Sequence, residues 1–243
     1  MDFQDLAYGK TYLGHLDRAL SSDRPEKDYA FSVEAAKYLA NALVYDDIIR
    51  VADLKTRSAR EERLRAEQGV REQNVVQVTE YFHPRMQEVC GTLPAGLGRW
   101  IEARPRLFAW LDRRINKGRR IRTDSLTGWL SLWLVSSLRP WRRSLLRHRI
   151  EMDHLKAWFD LALKQRERNY ELGVEILKCR RLIKGYSDTH ERGHSKFSRV
   201  MSGLPLVAER EDAADWLRRL REAALMDEKG DALDGALKTI ATL

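Results

Sequence analysis

The chain has 243 residues, 43% of them hydrophobic and 33% charged. That is enough to bury one good core or two small ones, and too apolar for a disordered tail. Two cysteines, Cys90 and Cys179, exclude a disulfide framework or a four-cysteine metal or iron–sulfur site, and suit a reducing compartment. The N-terminus carries no basic-then-apolar signal pattern, and no window reaches 18 consecutive apolar residues. A cytoplasmic protein without a spanning helix is therefore expected. The net charge is +8, which implies an acidic partner or an anionic ligand.

The positive charge is concentrated. Arg99 to Arg149 holds 14 Lys and Arg against three Asp and Glu, whereas the rest of the chain is slightly acidic. The densest part is RRINKGRRIR at 113–122. Its Arg113, Arg114, Lys117, Arg119, Arg120 and Arg122 are the candidate partner- or anion-binding face. A solvated surface mixes signs, as 61–65 does, and this segment does not.

Taken in order, the spacing predicts helices almost throughout. Leu6, Leu13, Leu16 and Leu20 give the first, and a polar turn with Pro25 follows. Ser32 is placed to cap the second, which reads on from Ala36 to Leu54. Asp46 and Asp47 sit inside that apolar run. Arg50 follows four and three residues later, the spacing of an ion pair on one face. Acidic residues there must be paired or shifted in pKa; a basic stretch such as Arg142 to Arg149 would pair them and lock the bundle, and a catalytic use is the alternative. The segment 55–73 is polar. NVVQVTEYF at 74–82 admits a short strand, but no second good strand is visible to pair with it, so helix is expected to resume after a break.

CGTLPAGLG at 90–98 is glycine-rich without the Gly-Lys-Ser/Thr of a P-loop, and it reads as a tight connection between helices. A helix follows over 99–115. SLTGWLSLWLVSSL at 125–138 is uncharged and too short to span a bilayer. It reads as a buried core helix, or else as a helix lying on an anionic membrane, since arginines flank it and tryptophan suits the interface. Pro140 fits a first helical turn. From Trp141 to Ile183 nothing but Gly173 interrupts the pattern, giving one helix of about 60 Å. Shorter helices over 197–204, 209–226 and 232–243 close the chain.

Two features carry chemistry. His190-Glu191-Arg192-Gly193-His194 matches the short His-Glu-x-x-His pattern of zinc proteases. However, Gly193 weakens the helix, Arg192 brings positive charge, and a third ligand is required; no metal is expected. The same segment, flanked by Gly185 and Gly193, concentrates Lys184, Tyr186, Asp188, Thr189, His190 and Arg192 in nine residues, a candidate polar loop site. The bland alternative is that Asp188 or Thr189 caps a helix. No helix-turn-helix, zinc-finger or ribonucleoprotein pattern accompanies the basic charge, which argues against nucleic acid.

Several stretches, in order, resemble one family. They are DFQDLAYGKTYLGHL at the start, YDDIIRVADLKTRSAR at 45–60, FHPRMQEVCGTLPAGLGRWI at 82–101, KGRRIRT at 117–123 and CRRLIKGYSDTHERGHSKF at 179–197. Together they are similar to the C-terminal region of indolepyruvate ferredoxin oxidoreductase beta-subunit-type proteins. The resemblance implies a complex that oxidatively decarboxylates aryl 2-oxo acids with thiamine diphosphate, coenzyme A and iron–sulfur clusters, passing electrons to ferredoxin. The catalytic domain that precedes this region in the family, and its thiamine diphosphate motif, are not matched here. No cofactor is therefore expected in this chain and no catalytic residue carries over.

The expectation is an all-α, irregular helical bundle organised around the helix at about 141–183. It forms a single domain over 1–243, with a possible subdivision at 90/91. Its expected role is a non-catalytic accessory or assembly domain whose basic face docks catalytic subunits, an acidic ferredoxin or the coenzyme A phosphates. A ligand-binding or enzymatic site at 184–193 and a peripheral membrane module are the alternatives.

Overall fold

The computed structural model describes the chain except for Met1, Ser22, Glu72, Val75, Tyr186, Ser187, residues 227–229 and Leu243, together with the side chain of Asp188. Fourteen α-helices and one sheet of two short strands are present among the described residues, so the fold is all-α. The chain divides into two compact units, residues 1–45 with 151–243, and residues 46–150. The division falls at 45/46 and 150/151 rather than at 90/91, so the first unit is discontinuous in sequence.

The first unit opens with α1 (Leu6–Leu20) and α2 (Ala30–Leu43). The Asp5 side chain caps α1 by accepting from the Tyr8 N–H at 2.7 Å. At the start of α2 the cap is not Ser32. The backbone N–H of Ser32 instead donates to Asp23 at 2.8 Å, reached across the Pro25 turn. The second unit follows with α3 (Ile48–Thr56), α4 (Ser58–Glu67), β1 (Thr79–Phe82), α5 (Met86–Gly91), α6 (Ala95–Glu102), α7 (Pro105–Ile115), β2 (Arg119–Arg122) and α8 (Leu126–Ser136). A 3₁₀ turn at Arg139–Ser144 leads into α9 (Leu146–Arg168), which carries the chain from the second unit back into the first. The rest of the first unit is α10 (Tyr170–Cys179), α11 (Asp188–Ser202), α12 (Leu204–Val207), α13 (Ala213–Met226) and α14 (Asp231–Ala241).

The single 141–183 helix is not formed. Asn169 is extended, at φ −138° and ψ 103°, and its side chain accepts from the Leu172 N–H at 3.0 Å. It ends α9 and caps α10 in one step, because a short amide competes for backbone hydrogen bonds that a helix interior would use. The chain then doubles back. The Trp158 indole N–H of α9 donates to the Ile176 carbonyl of α10 at 2.8 Å, whereas 18 residues of continuous helix would hold them about 27 Å apart. Gly173 allows the hairpin to close: a Cβ there would lie 2.7 Å from that of Arg166. The core of the unit gathers around this hairpin, with Phe31, Leu39, Phe159, Leu172, Ile176, Leu177, Leu217 and Leu220 essentially sealed from solvent.

Three further expectations change in the second unit. The helix from Ala36 does not run to Leu54, because it stops at Leu43 and restarts at Ile48. Residues 79–82 are a strand, and the missing partner is Arg119–Arg122 of the basic segment, antiparallel in the register Thr79↔Arg122 to Phe82↔Arg119. That strand escapes a hydrophobic reading because three of its four residues are arginine. The 99–115 helix is two helices, with Pro105 starting the second, where its missing N–H costs nothing.

One ion pair organises this unit. Asp47 caps α3, its Oδ1 accepting from the Arg50 N–H at 2.6 Å. The same carboxylate receives Arg142 in a two-pronged contact, Nε to Oδ2 at 2.9 Å and Nη2 to Oδ1 at 3.2 Å. Arg142 is 2% exposed and Asp47 6%. Arg50 itself pairs with Asp53 at 3.3 Å. Removing one partner of a buried pair leaves the other's charge in a poor solvent, at a cost of about 3–5 kcal/mol. Asp47→Ala is therefore expected to destabilise the protein by that amount in urea unfolding. Asp47→Asn, which keeps a cap acceptor, should recover about 1 kcal/mol of that loss. A change below about 1 kcal/mol for Asp47→Ala would show that the pair is not a main support.

Candidate functional site

The basic segment folds into one exposed region of the second unit. Arg113 and Arg114 close α7, Lys117 lies in the turn beyond it, and Arg119, Arg120 and Arg122 form β2; all six are exposed. Local contacts fix some of these charges. The guanidinium of Arg114 lies over Trp110, 4.4 Å from the ring centroid, and that of Arg120 lies 5.5 Å from the centre of its cross-strand partner Tyr81. Arg122 is compensated by Asp124.

Other cations of this unit are committed inside it. Glu80 of β1 pairs with both Lys55 of α3 and Arg60 of α4, and Arg142 is held by Asp47. The face on β2 and at the end of α7 is one exposed basic surface of this unit, open to an outside anion.

Next to β2 lies α8. Ser125 caps it, accepting from the Gly128 N–H at 3.2 Å. Gly128 is required, since a Cβ there would come within 2.0 Å of the Arg122 carbonyl oxygen. The expectation of a buried core helix is corrected here: Leu132 is its one buried residue among those described. One side of α8 packs on α3. The other presents Leu126, Trp129, Leu130, Trp133 and Leu134, all exposed, with Trp129 at 38% and Trp133 at 45%. Their spacing of three and four residues places them on one stripe. The two indoles stack at 6.2 Å with an interplanar angle of 16°. A helix apolar on all sides is normally enclosed; among the described residues α8 packs chiefly on α3, with a smaller contact to β2. An exposed stripe of this kind, rimmed by charge, marks an interaction surface.

The described side chains of the polar loop do not converge. Lys184, Thr189 and Arg192 are exposed, whereas His190 is buried. Tyr186 and the side chain of Asp188 lie outside the described residues. The reason is periodicity. Residues 188–202 are helical, and His190, Gly193, Phe197 and Val200 form its inward face, so neighbours in sequence point apart. Gly193 fits because a Cβ would strike the Leu182 carbonyl oxygen at 2.7 Å.

What His190 meets was not apparent from the sequence. Its Nε2 lies 3.1 Å from Glu151 Oε1, and Arg180 Nη2 lies 3.6 Å from Glu151 Oε2. The His194 ring lies 4.5 Å from that of His190, tilted at 50°, and His154 meets His194 edge-on at 4.6 Å. Burial, then the charge of Arg180, lowers the His154 imidazole to about 4. Burial, then His190 and His154, lowers His194 to about 3. Both are neutral at pH 7. The available signal was Glu151-x-x-His154, an i,i+3 pair on a helix, facing the i,i+4 pair on another. Neither cysteine is placed as a nucleophile: both are fully buried, and burial pushes the Cys179 thiol up to about 12.

Among the described residues no helix is long and apolar enough to cross a membrane. A family model described as a family of unknown function, DUF6537, matches residues 1–203. No curated protein matches the chain, and no solved structure does.

Glu80 gives the candidate face a pH signature. Burial alone would raise its carboxyl, but hydrogen bonds from Lys55 and Arg60 hold it below the usual glutamate range. A depressed carboxylate contributes stability above its unfolded pKa, near 4.3, and that contribution is lost as pH falls through the folded value. Acid unfolding followed by circular dichroism should therefore show a steeper loss below about pH 4.3 for the wild type than for Glu80→Gln. Parallel curves for the two proteins would contradict the assignment.

Proposed function

The chain belongs to the DUF6537 family, and we propose that it serves as a non-catalytic accessory or assembly module of an indolepyruvate-type 2-oxo acid ferredoxin oxidoreductase. It docks through the arginine–tryptophan face of its second unit. The observation that carries this reading is the exposed apolar stripe of α8 beside the exposed Arg119 and Arg120 of β2. Tryptophan and arginine are the residues most enriched at the energetic centres of interfaces. The five sequence stretches that resemble the oxidoreductase support the choice of partner. Thiamine diphosphate, coenzyme A and iron–sulfur chemistry then belong to the companion subunits, in the cytoplasm.

The division of labour follows from the physics. Arg113, Arg114, Lys117, Arg119 and Arg120 steer an acidic surface and set the association rate, which salt screens. Trp129 and Trp133 supply the desolvated contact and set the lifetime of the complex. The occupant of the stripe is a catalytic subunit; ferredoxin and the phosphates of coenzyme A are ligands for the arginines alone. The exposed tryptophans also favour a second reading, a peripheral contact with an anionic bilayer.

The test is a titration of the full chain against the catalytic subunits and ferredoxin at low and high salt, with anionic vesicles in parallel. Reversing Arg119 and Arg120 to glutamate should slow association and reduce its salt dependence, and reversing Arg113, Arg114 and Lys117 as well should remove most of it. Replacing Trp129 and Trp133 by serine should weaken binding by about 30-fold or more, the equivalent of about 2 kcal/mol, mainly through faster dissociation. Salt-insensitive binding, or binding unaffected by both sets of changes, would defeat the proposal. Sedimentation with anionic vesicles and no association with the subunits would replace it with the membrane reading.

A further inference from the structure

We propose that Glu151, His190 and His194 form a binding site for one divalent transition-metal cation of the zinc class, inside the first unit and independent of the docking face. One ligand atom from each of the three residues lies within 4.8 Å of the others. The side chains of Glu151 and His190 are 1% and 9% exposed, so this is a built interior site and not a scatter of surface groups. His190 and His194 are four residues apart on α11 and therefore share a face. Glu151 comes from α9, a separate helix, which gives the three donors a rigid frame.

The donor set selects the class of ion. Two imidazole nitrogens and one carboxylate suit zinc and its borderline neighbours, whereas magnesium and calcium take oxygen donors. Zinc bonds of about 2.0–2.1 Å in a tetrahedron put donor atoms about 3.3 Å apart. The Glu151–His190 separation of 3.1 Å is already there. The remaining closure, about 1.5 Å at most, lies within side-chain torsion and needs no backbone shift.

The surroundings support the first shell. Arg180 reaches Oε2 of Glu151 and leaves Oε1 facing His190, so the carboxylate is oriented as an outer-shell partner orients a ligand. Arg180 also brings positive charge, which tempers affinity for a second cation. His154 meets His194 edge-on, and its Nδ1 lies 3.5 Å from Arg180. Glu191, the residue a hydrolytic His-Glu-x-x-His site aims at a metal-bound water, is exposed on α11. The site is therefore structural: the ion ties α11 to α9. Three protein donors leave the fourth tetrahedral position for water.

The experiment uses the full chain, stripped with a chelator and exchanged into metal-free buffer. Zinc is titrated by calorimetry and cobalt by visible absorption. The expected result is one equivalent of each, with visible d–d bands for cobalt, a rise in melting temperature with zinc, and no comparable response to magnesium. Glu151→Gln and His194→Gln should each weaken binding by about 100-fold or more, beyond the 10–100-fold that losing an outer-shell partner costs. His83→Gln, in the other unit, should leave it unchanged. A measurement on the wild type guards against variants that misfold: zinc should protect the half-buried His194 from diethyl pyrocarbonate, read by peptide mass spectrometry. Less than stoichiometric zinc, undiminished binding by folded Glu151→Gln and His194→Gln, or unchanged labelling of His194 would each overturn the site. So would magnesium bound as tightly as zinc.

Discussion

The second unit hangs on a single carboxylate. Asp47 stands at its first helix and Arg142 near its end, 95 residues later, so their contact closes nearly the whole unit into a loop. Closing so long a loop costs conformational entropy, though only logarithmically in its length. A buried ion pair is weak evidence for stability by itself, because desolvation consumes most of the Coulomb gain. Asp47 is more than a pair member, since its Oδ1 also satisfies the first turn of α3. One side chain thereby fixes where α3 begins and where the chain turns before α9. The geometry of a two-pronged arginine contact gives that choice its specificity.

This constraint also explains the charge that is left over. The segment 99–149 is strongly basic, yet its cations are not equivalent. Arg142 is buried in the unit's own structure, and Arg122 answers Asp124 next to it. Elsewhere in the unit Lys55 and Arg60 answer Glu80. Arg113, Arg114, Lys117, Arg119 and Arg120 remain at the surface, beside aromatic rings that hold two of them in place. An exposed cation over a ring contributes about 0.5 kcal/mol, too little to justify the burial of either group. Its effect is to orient the guanidinium, which matters only for something that approaches it.

The helical class was legible because apolar spacing of three and four residues recurs along the chain. The cost of a carboxylate in an apolar run was legible at 46–47, and Asp47 meets it with Arg142. The breaks were not legible. Asn169 ends one helix and starts another by its own side chain, and nothing in apolar periodicity registers a single cap between two equally periodic segments. The strand at 119–122 was hidden because three arginines carry no hydrophobic alternation; its pairing rests on backbone hydrogen bonds and on Ile121 and Glu80 across the ladder. Both failures have one cause. Pattern reading weighs apolar burial, and these choices were made by a polar side-chain cap and by backbone pairing.

The exposed stripe on α8 and the cluster on α9 and α11 mark the opposite limits of reading function from pattern. In α8 the residue types were visible, but their exposure was not, because exposure depends on whether a second helix covers Trp129 and Trp133. In the cluster the letters of His190 to His194 were visible, and so were two arguments against them, Gly193 and Arg192. Both arguments dissolve in three dimensions. Gly193 is small because the chain at Leu182 and Ile183 passes against it, and Arg192 points out while His190 points in. The arginine that does approach the histidines is Arg180, which sits on the far oxygen of Glu151. A helix thus separates residues adjacent in sequence and unites those four apart. A short motif can be judged only by which face of the helix is buried, and against what.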